Sequence, residues 1–187
     1  PEGPGIYNEN ADVIIITPLN ETVSGQRIVP STGGGWSWGP LRRINYLLAN
    51  SNHTADLNTR NQYDGLAKFF RAYFYFEKLK RFGDVPWFNT VLGSDDELLF
   101  KPRDSRDLIA DSIIQDLDFA IAHLPETKNV YRVNKWTALA LKSRACLFEG
   151  TFRKYHGLPD AEKYLTSCAE ASEQLIDNGG YSLYKTG

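Results

Sequence analysis

From Trp36 onward, apolar residues return along the chain at intervals of three and four, the pitch of helices that bury one face. Leu41, Ile44, Leu47 and Leu48 mark a first helix, ended by the cap- and turn-forming run Ala49, Asn50, Ser51 and Asn52. A second helix is expected from about Arg60 to Phe82. Leu66, Phe69, Tyr73 and Phe76 form one stripe on it, and Phe70, Phe74 and Leu79 a second. Two apolar faces predict a helix wrapped by neighbours. Gly83 suits the position after its last turn, and Pro86 forbids continuation.

Residues 83–103 read as a long connection carrying Trp87, Phe88 and the acidic run Asp95, Asp96 and Glu97. Asp104 or Ser105 can cap a third helix with the stripe Ile109, Ile113, Leu117, Ala120 or Ile121, and Leu124, which Pro125 stops. Asp107, Asp111, Asp116 and Asp118 fall mostly off that stripe and predict a solvated acidic face rather than a metal site. Asn134 can cap a fourth helix reaching about Tyr155, with Trp136 in the core. Gly157 breaks it, Asp160 is expected to cap a fifth through Ile176, and Asn178, Gly179 and Gly180 end that one. Tyr181, Leu183 and Tyr184 are expected to pack back as an extended tail. The expected class is all-α, built of antiparallel helix pairs of a size like tetratricopeptide (TPR) repeats, although the full TPR pattern is not satisfied.

Residues 1–35 break this rhythm. They are rich in Gly, Pro and Asn, and their one apolar run, Val13, Ile14, Ile15 and Ile16, is halted by Pro18. They read as an irregular N-terminal segment before a helical domain at 36–187, with residues 13–16 a short strand or an extended stretch.

A net charge of -2 gives no electrostatic reason to expect nucleic acid or an anionic membrane as partner. No apolar run reaches the length of about 18 residues that spans a bilayer, and no signal segment is present. No nucleophile elbow, zinc-protease motif or P-loop occurs, and His53, His123 and His156 lack ligand spacing. No catalytic residue, metal or cofactor is expected. Cys146 and Cys168 lie about equally far from the turn at Gly157, and read as two small buried thiols or a disulfide across a helical hairpin.

Aromatic residues make up 13% of the chain, ten of them Tyr and four Trp. Such rings suit a helical core, and equally a platform that stacks on the C–H faces of a sugar while amide or guanidinium groups meet its hydroxyls. The best-fitting loop runs from Gln26 to Gly39, with Arg27, three consecutive glycines, Trp36 and Trp38. The alternative for each Trp is a staple that fixes the helix start in the core. Two residues apart, they should point differently, so at most one is expected to be exposed. Trp87, in the long connection, is a ligand ring or a loop anchor.

Four segments carry a family resemblance. The string AKFFRAYFYF at 67–76, followed by RFGDVP at 81–86, resembles the signature helix of the SusD/RagB family. WSWGPLRRINYLL at 36–48, RDSRDLIADSIIQDLDFAIAHLP at 103–125 and KWTALALKSRACLFEG at 135–150 are similar to its other helices, in order and spacing. The resemblance covers about Trp36 to Tyr184. It implies a TPR-containing, non-catalytic lipoprotein at the cell surface. Such a protein binds oligosaccharide or polysaccharide, in some members peptides, and delivers it to a SusC-type TonB-dependent outer-membrane transporter. It also implies that this chain is an N-terminal part, cut short at its C-terminus, with signal peptide and lipid anchor outside it. Arg27, Trp36, Trp38 and Trp87 are the candidate ligand residues. The competing expectation is a TPR-like protein-interaction module that docks on the transporter without binding sugar.

Overall fold

In the computed structural model, the described residues are Gly25, Ile28, Pro30, Ser31, 33–183 and Lys185. The chain divides into two compact units, Pro1–Ser37 and Trp38–Gly187. In the first unit, Gly33, Gly34 and Gly35 all have positive φ, and the Trp36 N–H donates to the Gly33 carbonyl at 2.9 Å. Side chains at this turn would meet strain that glycine avoids. Residues 13–16, Arg27 and Tyr184 lie outside the described residues.

Among its described residues, the second unit holds five α-helices: α1 (Gly39–Asn50), α2 (Leu57–Phe82), α3 (Arg106–His123), α4 (Lys135–His156) and α5 (Ala161–Asn178). The only β-pairing among the described residues is a bridge between Val85 and Asp104. Each helix packs mainly on its neighbour in sequence, giving the pairs α2–α3 and α4–α5 of a helical repeat. The fold is therefore all-α, as the apolar period predicted.

Local chemistry sets the helix ends. Pro40 opens α1, where its missing N–H costs nothing. The Asp56 carboxylate accepts from the Thr59 N–H at the start of α2, and the Asn134 amide oxygen from the Thr137 N–H at the start of α4. Ser105, not Asp104, caps α3, accepting from the Leu108 N–H, while Asp84 takes the Arg106 N–H at 2.8 Å. Asp160 precedes α5 in a left-handed conformation and makes no side-chain cap. Gly157 ends α4 at φ 63°, in the left-handed conformation that glycine adopts most cheaply.

The core joins Leu41, Phe69, Tyr75, Phe76 and Leu79 to Ile109, Ile113, Leu117, Ala138 and Tyr164. Trp136 is buried, as expected, and its indole N–H donates to the Glu126 carbonyl. Two stripe assignments are corrected: Phe70 and Tyr73 are 44% and 48% exposed. Leu47 also faces outward. α2 does bury two faces, but Arg71 and Lys78 occupy part of the second.

Of the acidic series on α3, Asp107, Asp111 and Asp118 keep solvent-exposed side chains, as expected, and Asp116 departs from the expectation. Asp116 is buried and grips Arg71 in a two-pronged pair, at 2.6 Å from Nε and 2.8 Å from Nη2. Asp107 pairs with Arg153, Asp111 with Lys163 and the Tyr164 hydroxyl, and Asp118 with Lys142. These carboxylates face the basic side chains of adjoining helices and form ionic seams between them. At Asp111, burial pushes the carboxyl upward. Hydrogen bonds from Lys163 and Tyr164, with the charges of Lys163 and Arg153, outweigh it and hold the group below its ordinary range. Buried Glu149 accepts from Arg106 and Arg153, linking α3 to α4. Where α4 and α5 cross, a Cβ on Gly150 would lie 2.8 Å from Leu165 side-chain atoms. The two cysteines are free thiols. Burial pushes the Cys146 thiol up to about 12.

Candidate functional site

The connection from α2 to α3 is pinned at its base. Asn45, buried on α1, donates from Nδ2 to the carbonyls of Phe88 and Thr90, and its Oδ1 accepts from Arg71. The buried Tyr75 hydroxyl accepts from the Phe88 N–H at 2.6 Å. Asp104 closes the loop by accepting the Trp87 N–H at 2.6 Å. Its carboxyl is pushed up by burial and then held low by the Lys101 and Trp87 hydrogen bonds. These anchors leave a surface turn at Glu97–Phe100 that exposes Leu98, Leu99 and Phe100.

Of the sequence-nominated rings, Trp38 and Trp87 both pack at this anchor, 6.2 and 4.2 Å from the Tyr75 ring between centroids. Trp38 is half-buried, 5.7 Å from Phe74 and 5.4 Å edge-on from Phe88 between ring centroids. Trp87 lies 4.2 Å from the Tyr75 ring, with the Arg71 guanidinium 5.2 Å from its own. Both rings thus spend much of their surface on packing. Lys78 stands 5.0 Å from the Phe74 ring and 5.4 Å from Trp38, and burial with the charge of Arg81 lowers its pKa. Trp36 belongs to the other unit and is 39% exposed. Arg27 lies outside the described residues.

Sequence reasoning missed a groove elsewhere. Tyr63, Leu66 and Phe70, spaced three and four apart on α2, face the α3–α4 connection across about 510 Å³. That volume lies within the range of about 300–1,000 Å³ typical of small-molecule sites. The far wall carries Asn129, Tyr131, Arg132 and Val133. This wall is held by its ends. Lys135 N–H donates to the Pro125 carbonyl, Asn134 Nδ2 to Thr127, and Lys128 Nζ to Gly180. At the tip, the Asn129 side-chain oxygen accepts from the Tyr131 N–H at 2.8 Å, fixing a turn that leaves Tyr131 92% exposed. A signal was present in the sequence: Val130, Tyr131 and Val133 stand in a polar connection, off any helical stripe.

Rings interleaved with amides and a guanidinium can stack on apolar faces and hydrogen-bond hydroxyls. Among the described residues, no group of carboxylate, His and Cys side chains is arranged to hold a metal ion. No helix there is long and apolar enough to cross a membrane.

Residues 39–147 match the SusD-like family described as starch-binding and associating with the outer membrane. No curated protein matches the chain. A SusD-like protein of Bacteroides fragilis NCTC 9343 is 31% identical, over 76% of this chain and 26% of that one, with a TM-score of 0.61. A structure with xylogluco-oligosaccharide is 21% identical over 90% of this chain and 35% of that one, TM-score 0.73. A laminarin-binding SusD-like protein is 21% identical over 76% and 30%, TM-score 0.63. At that identity the last two establish a shared fold. The chain spans about a quarter to a third of the length of these structures. With the family match covering more than half of its residues, the chain belongs to the SusD-like family.

Proposed function

We propose that the protein binds oligosaccharides at the cell surface, without chemistry of its own, for delivery to a SusC-type TonB-dependent transporter. The observation that carries this reading is the match of residues 39–147 to a family described as starch-binding and outer-membrane-associated. The laminarin and xylogluco-oligosaccharide in the names of two fold relatives point the same way. Residues 36–187 serve as its helical domain, held at the outer membrane through a lipid anchor. Trp36, exposed beside a glycine turn, is the nominated ring best placed to stack on a sugar, with Arg27 from the same loop. Trp38 and Trp87 pack on Tyr75 within the helical scaffold.

Calorimetric titration with glucan and xyloglucan oligosaccharides tests this. Trp36→Ala should weaken binding about tenfold, the effect of losing roughly 1.4 kcal/mol. Unchanged affinity removes Trp36 from the site. A second reading, a protein-docking module, draws on the exposed Leu98, Leu99 and Phe100. It predicts that the transporter is captured and no sugar is.

A further inference from the structure

We propose that the groove between α2 and the α3–α4 connection is a saccharide site built from residues other than the nominated ones. This rests on the glycan-binding reading and extends it to a groove whose described lining includes none of the nominated residues.

Three features argue for a sugar. First, Tyr63 and Phe70 rise from one face of α2, seven positions apart, and both are exposed. Seven residues of helix put these two positions about 10 Å apart along the axis, a spacing suited to successive units of a chain. Second, hydrogen-bonding capacity is left over beside the rings. The Gln62 amide, the Asn129 Nδ2 and the Arg132 guanidinium make no hydrogen bond within the described residues. A guanidinium fork suits paired oxygens, whether a vicinal diol or a sugar carboxylate. Third, the site is preorganised. Phe69 meets Phe70 edge-on at 5.3 Å, and the Tyr131 turn is held by the contacts of Asn129 and Lys128. A ligand therefore orders little protein on binding, which favours affinity. Groove and aromatic anchor also draw on different stretches of α2. From Leu66 to Tyr75 the helix rises about 13 Å, so the two places are separate.

The lining has one cation, Arg132, and no carboxylate. The ligand is therefore a pyranose chain, neutral or carrying a carboxylate, and not a cationic amino sugar.

The test uses the whole chain, isotope-labelled, titrated with maltoheptaose, laminarihexaose, a xyloglucan oligosaccharide and an oligogalacturonate. Amide shifts should cluster at residues 62–70 and 127–133, with affinity read from the same titration. Tyr131→Ala and Arg132→Ala change exposed side chains, so both variants should fold. Each should weaken groove binding about tenfold, while Tyr131→Phe, which keeps the ring, stays within about twofold. A larger loss on Arg132→Ala for oligogalacturonate than for the neutral chains assigns the fork to a carboxylate; equal losses assign it to a diol. Saccharide binding that shifts other amides and ignores both alanine variants overturns the groove and leaves the general reading standing. Absence of binding by any of the four overturns both.

Discussion

Replacing Asp116 with alanine leaves the Arg71 guanidinium buried with its principal partner gone. Both side chains are less than 10% exposed, and the pair is two-pronged, at 2.6 and 2.8 Å. Among the described residues, Arg71 then keeps a 3.3 Å bond to Asn45 and the nearby Trp87 ring. Breaking a buried pair from one side costs about 3–5 kcal/mol, because an uncompensated charge remains. For a chain of this length that corresponds to a fall in Tm of roughly 6–20 °C. Urea unfolding at constant m-value measures it. The double variant Arg71→Met with Asp116→Leu removes both charges and should recover most of the loss, so the two single changes must not add. A loss under about 1 kcal/mol for Asp116→Ala, or strict additivity in the cycle, would refute the claim that this pair ties α2 to α3 from inside.

Gly150→Ala places a methyl 2.8 Å from Leu165 and should destabilise by about 1–3 kcal/mol in urea unfolding, partly relieved by adding Leu165→Ala. Asp111 has a folded pKa below the ordinary carboxylate value. Its contribution is thus complete above pH about 4 and is lost as pH falls toward the folded value; Asp111→Asn should flatten stability against pH there, measured by unfolding at pH 2–6. Cys146, buried with its thiol raised to about 12, should resist thiol reagents at neutral pH until the chain is unfolded, as peptide mapping after labelling would reveal.

Helix order and class could be read from the sequence because they depend on local spacing and on caps such as Asn134 and Gly157. What escaped that reading depends on residues far apart. Asp116 looked solvated because its partner stands 45 positions away. Asn45, unremarkable in its helix, is buried because carbonyls 43 and 45 residues on need its amide. Asp104 looked like a cap and is a clip, since the insertion folds back and presents the Trp87 N–H to it. Phe70 and Tyr73 fit an apolar period, yet both stay nearly half exposed. The groove that Phe70 borders needs α2 and the α3–α4 connection to converge, which no single stretch of sequence records. Among the nominated site residues, exposure separates Trp36 from Trp38 and Trp87, and spacing alone gave only the expectation that the two neighbouring tryptophans would differ.

The claim that this SusD-like chain holds sugars without altering them is tested most directly by titrating it with the oligosaccharide panel in a calorimeter, then assaying the recovered sugars for new reducing ends. Saturable heats with intact sugars are predicted. Flat titrations throughout, or reducing ends that accumulate with time, would contradict it.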